Sequence, residues 1–188
     1  MDTMTLRQTP LHREHLDAGG KMVPFAGFDM PVQYEGLKVE HEAVRTKVGM
    51  FDVSHMGEFF VEGPDALNLI QWVTSNNAAN LVDGKVQYSC LPNEQGGIIN
   101  DLLVYRIAAE RWMLVVNASN RQKDLRWLHS QIQARGFDVQ LEDQSDAWAL
   151  IALQGPDTDQ HLRSLDPQRA DSSAWNSSGY RWGVGSTA

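Results

Sequence analysis

The middle of the chain alternates between strand-like and helix-like periodicity in one particular order, and that order limits the fold more than any other feature. A strand pattern over 57–62 is followed by a helix pattern over 66–73. Three strand patterns come next, then a helix over 120–134 and a last strand over 137–141. This alternation predicts an α+β unit of the split β-α-β-β-α-β, ferredoxin-like type over residues 51–143.

The segments on both sides of this unit predict a second domain that is discontinuous in sequence. Residues 1–50 contain a short leading helix, an aromatic stretch broken by Gly and Pro that favours a strand or hairpin, and a helix that ends at Gly49. Residues 144–188 open with a strongly apolar strand over 148–153. Because an isolated apolar strand needs partners, we expect residues 1–50 and 144–188 to fold together as one domain and residues 51–143 as the other.

Charge and cysteine content exclude several classes of function. The chain has 16 Lys and Arg against 24 Asp and Glu, and this acidic balance opposes binding to the phosphates of nucleic acid. The single cysteine, Cys90, cannot form an internal disulfide, and no run approaches the roughly 18 apolar residues of a membrane helix. The first residues are polar and lack the apolar core of a signal peptide. We therefore expect a cytoplasmic protein without nucleic-acid or membrane partners.

The histidines do not predict a metal site. A structural or catalytic metal needs several ligands at a recognisable spacing. Only His12 and His15 are spaced to share a helix face, and no third ligand accompanies them. We therefore expect no bound metal.

One carboxylate falls inside an otherwise apolar strand. Asp101 follows the double glycine Gly96-Gly97 and precedes an apolar run that ends at Tyr105. Aspartate is uncommon in strands, and burial of its charge is costly unless the carboxylate is paired or hydrogen-bonded. Strand alternation puts Asp101, Leu103 and Tyr105 on one face, which presents a carboxylate and a phenol together. On the residues alone, two interpretations are equally good: a functional carboxylate, or an Asp that caps a turn or accepts a backbone hydrogen bond at the start of the strand.

Eight short motifs, in order along the chain, resemble one known family. They occupy 9–11, 25–34, 40–45, 115–118, 123–124 and 152–156, together with Phe51-Asp52-Val53-Ser54-His55-Met56-Gly57 and Gly96-Gly97 through Asp101-Leu102. On these motifs the chain is similar to the T-protein of the glycine cleavage system, a folate-dependent aminomethyltransferase family. Sister folate-binding proteins share parts of the pattern.

The resemblance implies a fold and a reaction. Family members have a discontinuous first domain, a ferredoxin-like second domain and a C-terminal barrel, and we expect the barrel to be absent from this chain. The implied reaction takes the aminomethyl group from the lipoyl arm of the H-protein, releases ammonia and passes the one-carbon unit to tetrahydrofolate. The implied partners are thus the lipoylated H-protein and tetrahydrofolate as co-substrate, and the reaction requires no metal.

The same resemblance implies the site residues. The family's catalytic aspartate follows the double glycine and corresponds to Asp101, with the implied role of orienting the folate nucleophile and managing a proton. The family positions that line the folate cavity correspond to Met56, Tyr88, Tyr105, Val115, Asn117 and Tyr180. On its own position in the chain, at the end of an apolar strand, Asn117 would favour a turn residue instead.

The sequence departs from the family at two places. Asn100 replaces an aspartate that is common there, so a charge beside the catalytic position is lost. Beyond about Leu165 the register erodes. The family has a segment of the type Arg-Thr-Gly-Tyr-Thr-Gly-Glu-Asp-Gly, whose glutamate hydrogen-bonds the pterin ring, but no Glu follows Tyr180 here. Without this anchor we expect an open and weakly specific pocket.

Three functions remain open on the sequence. The first is an aminomethyltransferase, or the N-terminal part of one, with the activity of the isolated chain left undecided. The second is a non-enzymatic folate-binding protein of the same superfamily, although the Lys-Gly-Cys-type loop of its iron–sulfur assembly relatives is not found. The third is an inactive truncated product, indicated by the eroded register after Leu165.

Overall fold

Helices and strands are mixed along the chain. The structure, a computed structural model, describes residues 5–165 and 181–186. The elements in chain order are α1 (His12–Asp17), β1 (Lys21–Phe25), β2 (Phe28–Gln33), α2 (Leu37–Thr46), β3 (Gly49–Asp52), β4 (Gly57–Glu62), α3 (Ala66–Val73), β5 (Val86–Pro92), β6 (Ile98–Ala108), β7 (Arg111–Val116), α4 (Arg121–Arg135), β8 (Gln140–Asp143), β9 (Trp148–Gln154), α5 (Thr158–Leu165) and β10 (Arg181–Ser186). None of the helices in these ranges has both the length and the apolar character that crossing a bilayer requires.

The chain divides into two compact units. One unit contains the described residues up to His55 and from Trp148 onward, and the other is Met56–Ala147. The first unit is discontinuous in sequence because β3 pairs with β9, so the segments before and after the second unit share a sheet. The second unit begins a few residues later than position 51, since β3 belongs to the first unit.

The second unit is built on one five-stranded antiparallel sheet. Its strands lie in the order β5-β6-β7-β4-β8. Along the chain the elements follow the order β-α-β-β-β-α-β, which is also the order of the strand and helix patterns in the sequence. The sheet therefore has one strand more than the β-α-β-β-α-β unit to which those patterns were assigned. The additional strand, β5, lies at the edge and pairs only with β6 among the described residues.

Alternation along the strands gives the sheet one apolar face. Every second residue of β4, β6 and β7 enters a core that also receives the apolar sides of α3 and α4. The core between this helix-covered face and the two helices contains the fully buried side chains of Phe59, Val61, Val104, Leu114, Leu69, Ile70 and Leu128. Burying a side chain of this size stabilises a fold by about 1.5–3 kcal/mol. The alternate residues of the same strands point to the opposite side, which we call the second face.

The first unit combines a hairpin with a small sheet. β1 and β2 are antiparallel and joined by Ala26-Gly27, which both have positive φ, as a two-residue hairpin turn requires. β9 lies between β3 and β10. The hairpin and the three-stranded sheet agree with the strand or hairpin and the apolar strand that the sequence predicts for this part of the chain.

A buried carboxylate joins the pieces of the first unit. Asp52 Oδ2, in β3, accepts hydrogen bonds from Thr9 Oγ1 at 2.7 Å and from the ring of His15 in α1 at 2.8 Å. The other ring nitrogen of His15 lies 2.7 Å from the hydroxyl of Tyr34, just after β2. Burial alone would raise the pKa of Asp52, but hydrogen bonds from Ser54, His15 and Thr9 outweigh it and lower the pKa. His12 and His15, the pair spaced for one helix face, each contact a carboxylate, Asp29 and Asp52 respectively.

The last strand of the second unit starts later than its sequence pattern predicts. The expected strand covers 137–141, whereas β8 begins at Gln140. α4 ends at Gly136 in a left-handed conformation, and Asp138 then exchanges backbone and side-chain hydrogen bonds with Asp65 at the start of α3. Because these contacts hold the chain at the helix start, pairing with β4 becomes possible only further along.

A buried carboxyl on the second face is not hydrogen-bonded. Glu58, in β4, is 0% exposed, and neither of its carboxyl oxygens has a hydrogen-bond partner in the described chain. Burial raises its pKa to about 8; Arg121 partly opposes this effect, while Asp143 and Asp146 add to it. The neutral acid is therefore the form that the folded protein favours at neutral pH.

Replacing Glu58 by Gln is expected to stabilise the protein in a pH-dependent way. In the unfolded chain Glu58 ionises near its ordinary pKa of 4.5, whereas in the folded protein it holds its proton up to about pH 8. Ionisation of Glu58 therefore does not destabilise the folded protein below about pH 4. The destabilisation grows between the unfolded-state and folded-state pKa values of Glu58 and is complete above the folded-state pKa. At pH 7 the Glu58→Gln variant should exceed the wild type in free energy of unfolding by up to about 3 kcal/mol.

Urea denaturation at pH 4, 7 and 8.5 measures this difference. Glu94→Gln, in an exposed turn, is the matched control and should show no such trend. Equal stability of Glu58→Gln and wild type at all three pH values would contradict the buried, neutral Glu58.

Candidate functional site

Three polar side chains meet on the second face of the five-stranded sheet. The Tyr88 hydroxyl, in β5, donates to Asp101 Oδ2 in β6 at 2.5 Å. The Asn117 side-chain amide, one residue after β7, donates to Asp101 Oδ1 at 2.9 Å. Both carboxylate oxygens of Asp101 are thus held by donors from the two neighbouring strands.

Strand register explains why these residues meet. Leu103 pairs with Tyr88 on one side and with Val115 on the other. Two residues along the same face, Asp101 therefore lies diagonal to Tyr88 and beside the position that follows β7, which is Asn117. Diagonal neighbours of this kind remain within reach of a long side chain such as tyrosine.

The burial pattern of β6 agrees with the predicted alternation. Asn100, Leu102 and Val104 are buried on the helix-covered face, whereas Asp101 is only partly buried on the second face. Asp101 does not cap a turn, because it is paired with Cys90 within the strand ladder. Of the two interpretations that the residues allow, the structure favours the carboxylate displayed next to a phenol, and that phenol belongs to Tyr88 and not to Tyr105.

Tyr105 and Val115 lie on the same face but apart from this cluster. The Tyr105 hydroxyl is buried without a hydrogen-bond partner among the described residues, and burial raises the pKa of its phenol. Val115 is 1% exposed. Met56 directly precedes β4 and is partly buried. Tyr180 lies outside the residues that the structure describes.

The pKa of the Tyr88 phenol is raised by its surroundings in the cluster. The hydrogen bond to Asp101 is the main cause that raises the pKa of Tyr88 to about 12, with smaller contributions from burial and from the negative charge of Asp101. The phenol therefore remains a hydrogen-bond donor throughout the physiological pH range. The residue is 59% exposed, so its ring is available to pack against a ligand.

A second row of polar residues lies behind Asp101. The sequence did not predict that this row contains a carboxyl group. Asp124, in α4, accepts a hydrogen bond from Asn100 Nδ2 at 2.5 Å. Asn100 Oδ1 in turn accepts from Asn117 at 3.0 Å and from Asn120 at 2.8 Å. The available signal was helical spacing: Asp124 precedes the buried Leu128 by four residues and therefore lies on the buried side of α4.

The sequence predicts that Asn100 removes a charge beside the catalytic position, and the structure places another carboxylate there. Asp124 is 0% exposed. Burial raises its pKa, while the hydrogen bond from Asn100 and the charge of Lys123 oppose that rise and the charge of Asp101 adds to it. The Asp101 region thus retains two carboxyl groups, one in the sheet and one in the helix.

The cavities and acidic groups elsewhere do not contain the predicted site residues. In the first unit a cavity of about 800 Å³ is lined mainly by Val32, Leu37, Val44, Met50 and Phe51. Within residues 5–165 no three His, Cys, Asp or Glu side chains converge in a way that could hold a metal ion. The Asp101 cluster is the candidate site because three of the predicted site residues, Tyr88, Asp101 and Asn117, meet there.

Similarity to known proteins extends over most of the chain. Residues 11–182 match a family model described as the GCVT N-terminal domain. An aminomethyltransferase of Flavobacterium psychrophilum is 56% identical over 160 residues, which cover 85% of this chain and 44% of that protein. An aminomethyltransferase of Deinococcus deserti is 54% identical over 151 residues, which cover 80% of this chain and 42% of that protein.

A solved structure shares the fold. The crystal structure of glycine cleavage system aminomethyltransferase T from Bartonella henselae superposes with a TM-score of 0.79 at 39% sequence identity. The match covers 85% of this chain and 44% of that one. The chain therefore spans less than half the length of the relatives that it matches here.

The Tyr88–Asp101 hydrogen bond predicts a titration that depends on Asp101. In the Asp101→Asn variant a neutral amide replaces the carboxylate, so the phenol pKa of Tyr88 should return from about 12 towards its ordinary value of 10. Tyrosine ¹³Cζ NMR should then show Tyr88 titrating between about pH 9 and 11 in the variant but not in the wild type.

Assignment of the Tyr88 signal comes from its loss in Tyr88→Phe. Asp138→Asn, an exposed position in the same unit, serves as the control and should leave the titration unchanged. Identical Tyr88 titration in wild type and Asp101→Asn would show that the hydrogen bond is not formed in solution.

Proposed function

This chain belongs to the GCVT N-terminal domain family, that of the glycine cleavage T-protein, and from this we propose that it forms the folate-binding part of an aminomethyltransferase. In the proposed reaction the aminomethyl group on the lipoyl arm of the H-protein gives its one-carbon unit to tetrahydrofolate. The observation that carries the proposal is the clamped carboxylate of Asp101, with Tyr88 on one oxygen and Asn117 on the other.

The chemistry requires a group that can manage positive charge and a proton. Two carbon–nitrogen bonds to tetrahydrofolate form, the carbon–sulfur bond and the bond to the amino nitrogen break, and the two N–H protons leave with the thiol and with ammonia. An attacking nitrogen becomes positively charged before it loses its proton. A carboxylate beside that nitrogen stabilises the charge and accepts the proton, and this is the role that we propose for Asp101.

Holding both oxygens of Asp101 has a geometric consequence. A carboxylate fixed by two donors cannot rotate freely, so its remaining lone pairs keep one direction relative to the sheet. Tyr88 is more than half exposed and Asn117 is partly exposed, so the cluster is open to a ligand on one side. Fixed orientation of the acid–base group contributes to rate because it avoids reorganisation during the reaction.

We propose that most of the walls of the folate cavity come from the second face. We propose that Met56, Tyr88, Tyr105, Val115 and Asn117 contact the folate, with Tyr180 as a further contact. Aromatic and apolar side chains suit a flat pterin ring, and a few polar groups suffice to orient it. A buried hydroxyl without a partner, as in Tyr105, is a group that a bound ligand can satisfy.

The finer architecture belongs to the same proposal. We assign the second unit to the family's ferredoxin-like domain, with β5 as an additional edge strand, and the first unit to its discontinuous domain. The proposed setting is the cytoplasm, where a free cysteine such as Cys90 stays reduced.

Titration with tetrahydrofolate tests the proposed binding site. Saturable quenching of tryptophan fluorescence is expected for the 188-residue chain, which contains six tryptophans. Asp101→Asn should weaken binding about tenfold, because it removes the acceptor of a charge-assisted hydrogen bond network. Asp17→Asn, an exposed residue of α1, should bind as the wild type does.

A transfer assay tests the proposed reaction. The chain is completed to family length with the C-terminal part of the Flavobacterium relative, and ammonia release from aminomethyl-lipoyl H-protein is followed. Asp101→Asn should lower the transfer rate at least about a hundredfold, the usual contribution of an acid–base group.

The two assays separate the possible outcomes. Full transfer by Asp101→Asn would overturn the catalytic assignment. Saturable binding without any transfer by the completed wild-type protein would favour the non-enzymatic folate-binding alternative. Lack of binding by both the chain and the completed protein would overturn the folate site itself.

A further inference from the structure

A continuous line of hydrogen bonds connects a buried carboxylate in α4 with Asp101. It runs from Asp124 to Asn100, from Asn100 to Asn117, and from Asn117 to Asp101. All four residues lie in the second unit. Asp124 is completely buried, and its Oδ1 has no hydrogen-bond partner in the described part of the chain. A buried carboxyl group with so little compensation is costly, so its presence requires an explanation.

The carboxyl of Asp124 determines which way the Asn100 amide points. In its ionised form this carboxyl group can only accept hydrogen bonds, so the group opposite Oδ2 has to be a donor. Asn100 therefore presents Nδ2 to Asp124 and Oδ1 to the other side. Because Asn100 is 5% exposed, water has little access to compensate the reverse orientation.

The direction of Asn100 determines the direction of the next amides. With its oxygen facing away from Asp124, Asn100 can only accept on that side, and both Asn117 and Asn120 donate to it. One hydrogen of the Asn117 amide goes to Asn100, and the other goes to Asp101 Oδ1. The Asn117 oxygen makes no hydrogen bond within the described residues and remains an acceptor for a bound donor.

We infer that Asp124 is a positioning residue for Asp101: through Asn100 it fixes the Asn117 amide with its nitrogen towards Asp101 and its oxygen free to accept from a ligand. This role rests on the proposed function of Asp101, but the amide orientation itself does not. Asp124 touches none of the groups assigned to the reaction, and it acts only through the two asparagines.

The Asp124→Asn substitution is expected to remove the control over the Asn100 and Asn117 orientations, although an amide has nearly the same shape as a carboxyl group. In Asp124→Asn one arrangement leaves a buried NH₂ group without an acceptor, which is strongly unfavourable. The other arrangement reverses Asn100, and Asn117 then turns its oxygen towards the Asp101 carboxylate. The first arrangement costs stability and leaves Asn100 in place. The second is therefore the expected one, and it weakens the clamp on Asp101.

Exchanging the residues at positions 100 and 124 is expected to restore the orientation of the Asn117 amide. In the double variant Asn100→Asp/Asp124→Asn, the new acid at position 100 accepts from position 124 with one oxygen and from Asn117 and Asn120 with the other. The amides at positions 117, 120 and 124 then each donate to the new carboxylate, and Asn117 keeps its nitrogen towards Asp101. Packing volume is almost the same in all three variants, so a purely steric role predicts no difference between the single and the double exchange.

In the single variant Asn100→Asp, the hydrogen bonds between Asp124 and Asp101 depend on whether one of two adjacent carboxyl groups is protonated. Two carboxyl groups in hydrogen-bond contact must share one proton, since like charges at that distance cannot both ionise. The other charged groups that act on Asp124 are Lys123, on the same helix, and Asp101, on β6. Binding by this variant should therefore weaken as pH rises, whereas wild type and the double exchange should change little with pH.

The test uses the 188-residue chain with two independent readouts. The first is the side-chain ¹H–¹⁵N signal of Asn117 in the free protein, assigned by its loss in Asn117→Ala. The second is the dissociation constant for tetrahydrofolate from fluorescence titration at pH 6, 7.5 and 9. Asp138→Asn, exposed and in the same unit, is the control for a charge-to-amide change.

The inference predicts a specific pattern across the variants. Asp124→Asn should shift the Asn117 signal, speed its hydrogen exchange and weaken binding about tenfold. The double exchange should recover both readouts to within about threefold of wild type. Should Asp124→Asn not fold, recovery of folding, signal and binding by the double exchange supports the inference equally.

The opposing results are equally clear. Wild-type signal and affinity in Asp124→Asn would overturn the positioning role, as would a folded double exchange that does not recover the Asn117 signal. Failure of tetrahydrofolate to bind the wild type would overturn the proposed function instead. In that case the Asn117 signal still decides whether Asp124 fixes the amide.

Discussion

The pairing register of β6 with β7 is the constraint on which the candidate site depends. It sets Leu103 opposite Val115, and two positions further along it brings Asp101 beside Asn117. Since side chains alternate between faces, a slip of one residue would send Asp101 into the apolar core and Leu102 to the second face. The fully buried side chains of Val104 and Leu114 exclude that slip, because each would have to leave the core. The apolar core thus positions the polar site.

The second face carries polar groups that the fold itself does not satisfy. Glu58 is buried with both carboxyl oxygens unpaired, and the Tyr105 hydroxyl is buried without a partner among the described residues. A stable protein rarely retains such groups, because each costs free energy without contributing to packing. They lie on the same face as Asp101 and Tyr88, the face that we propose as the folate site.

Periodicity and turn residues predicted most of the local structure. The β1–β2 hairpin, the placement of α3 and α4 and the alternation of β6 follow from patterns that act within a few residues. The start of β8 did not, because Asp138 is held by Asp65, which lies far away in sequence. For the same reason the sequence could not predict which phenol contacts Asp101. Alternation puts Tyr105 on the correct face, but only the pairing of β5 with β6 brings Tyr88 into contact with Asp101.

By itself the sequence determined the family, the alternation that displays Asp101 and the absence of a charge at Asn100. Tertiary structure alone decided that Asp124 supplies a carboxylate behind Asn100, and that burial raises the pKa of Glu58. The physical reason is range. Propensity and periodicity act between neighbours along the chain, whereas hydrogen-bond direction and the pKa of a buried acid depend on groups that only folding brings together.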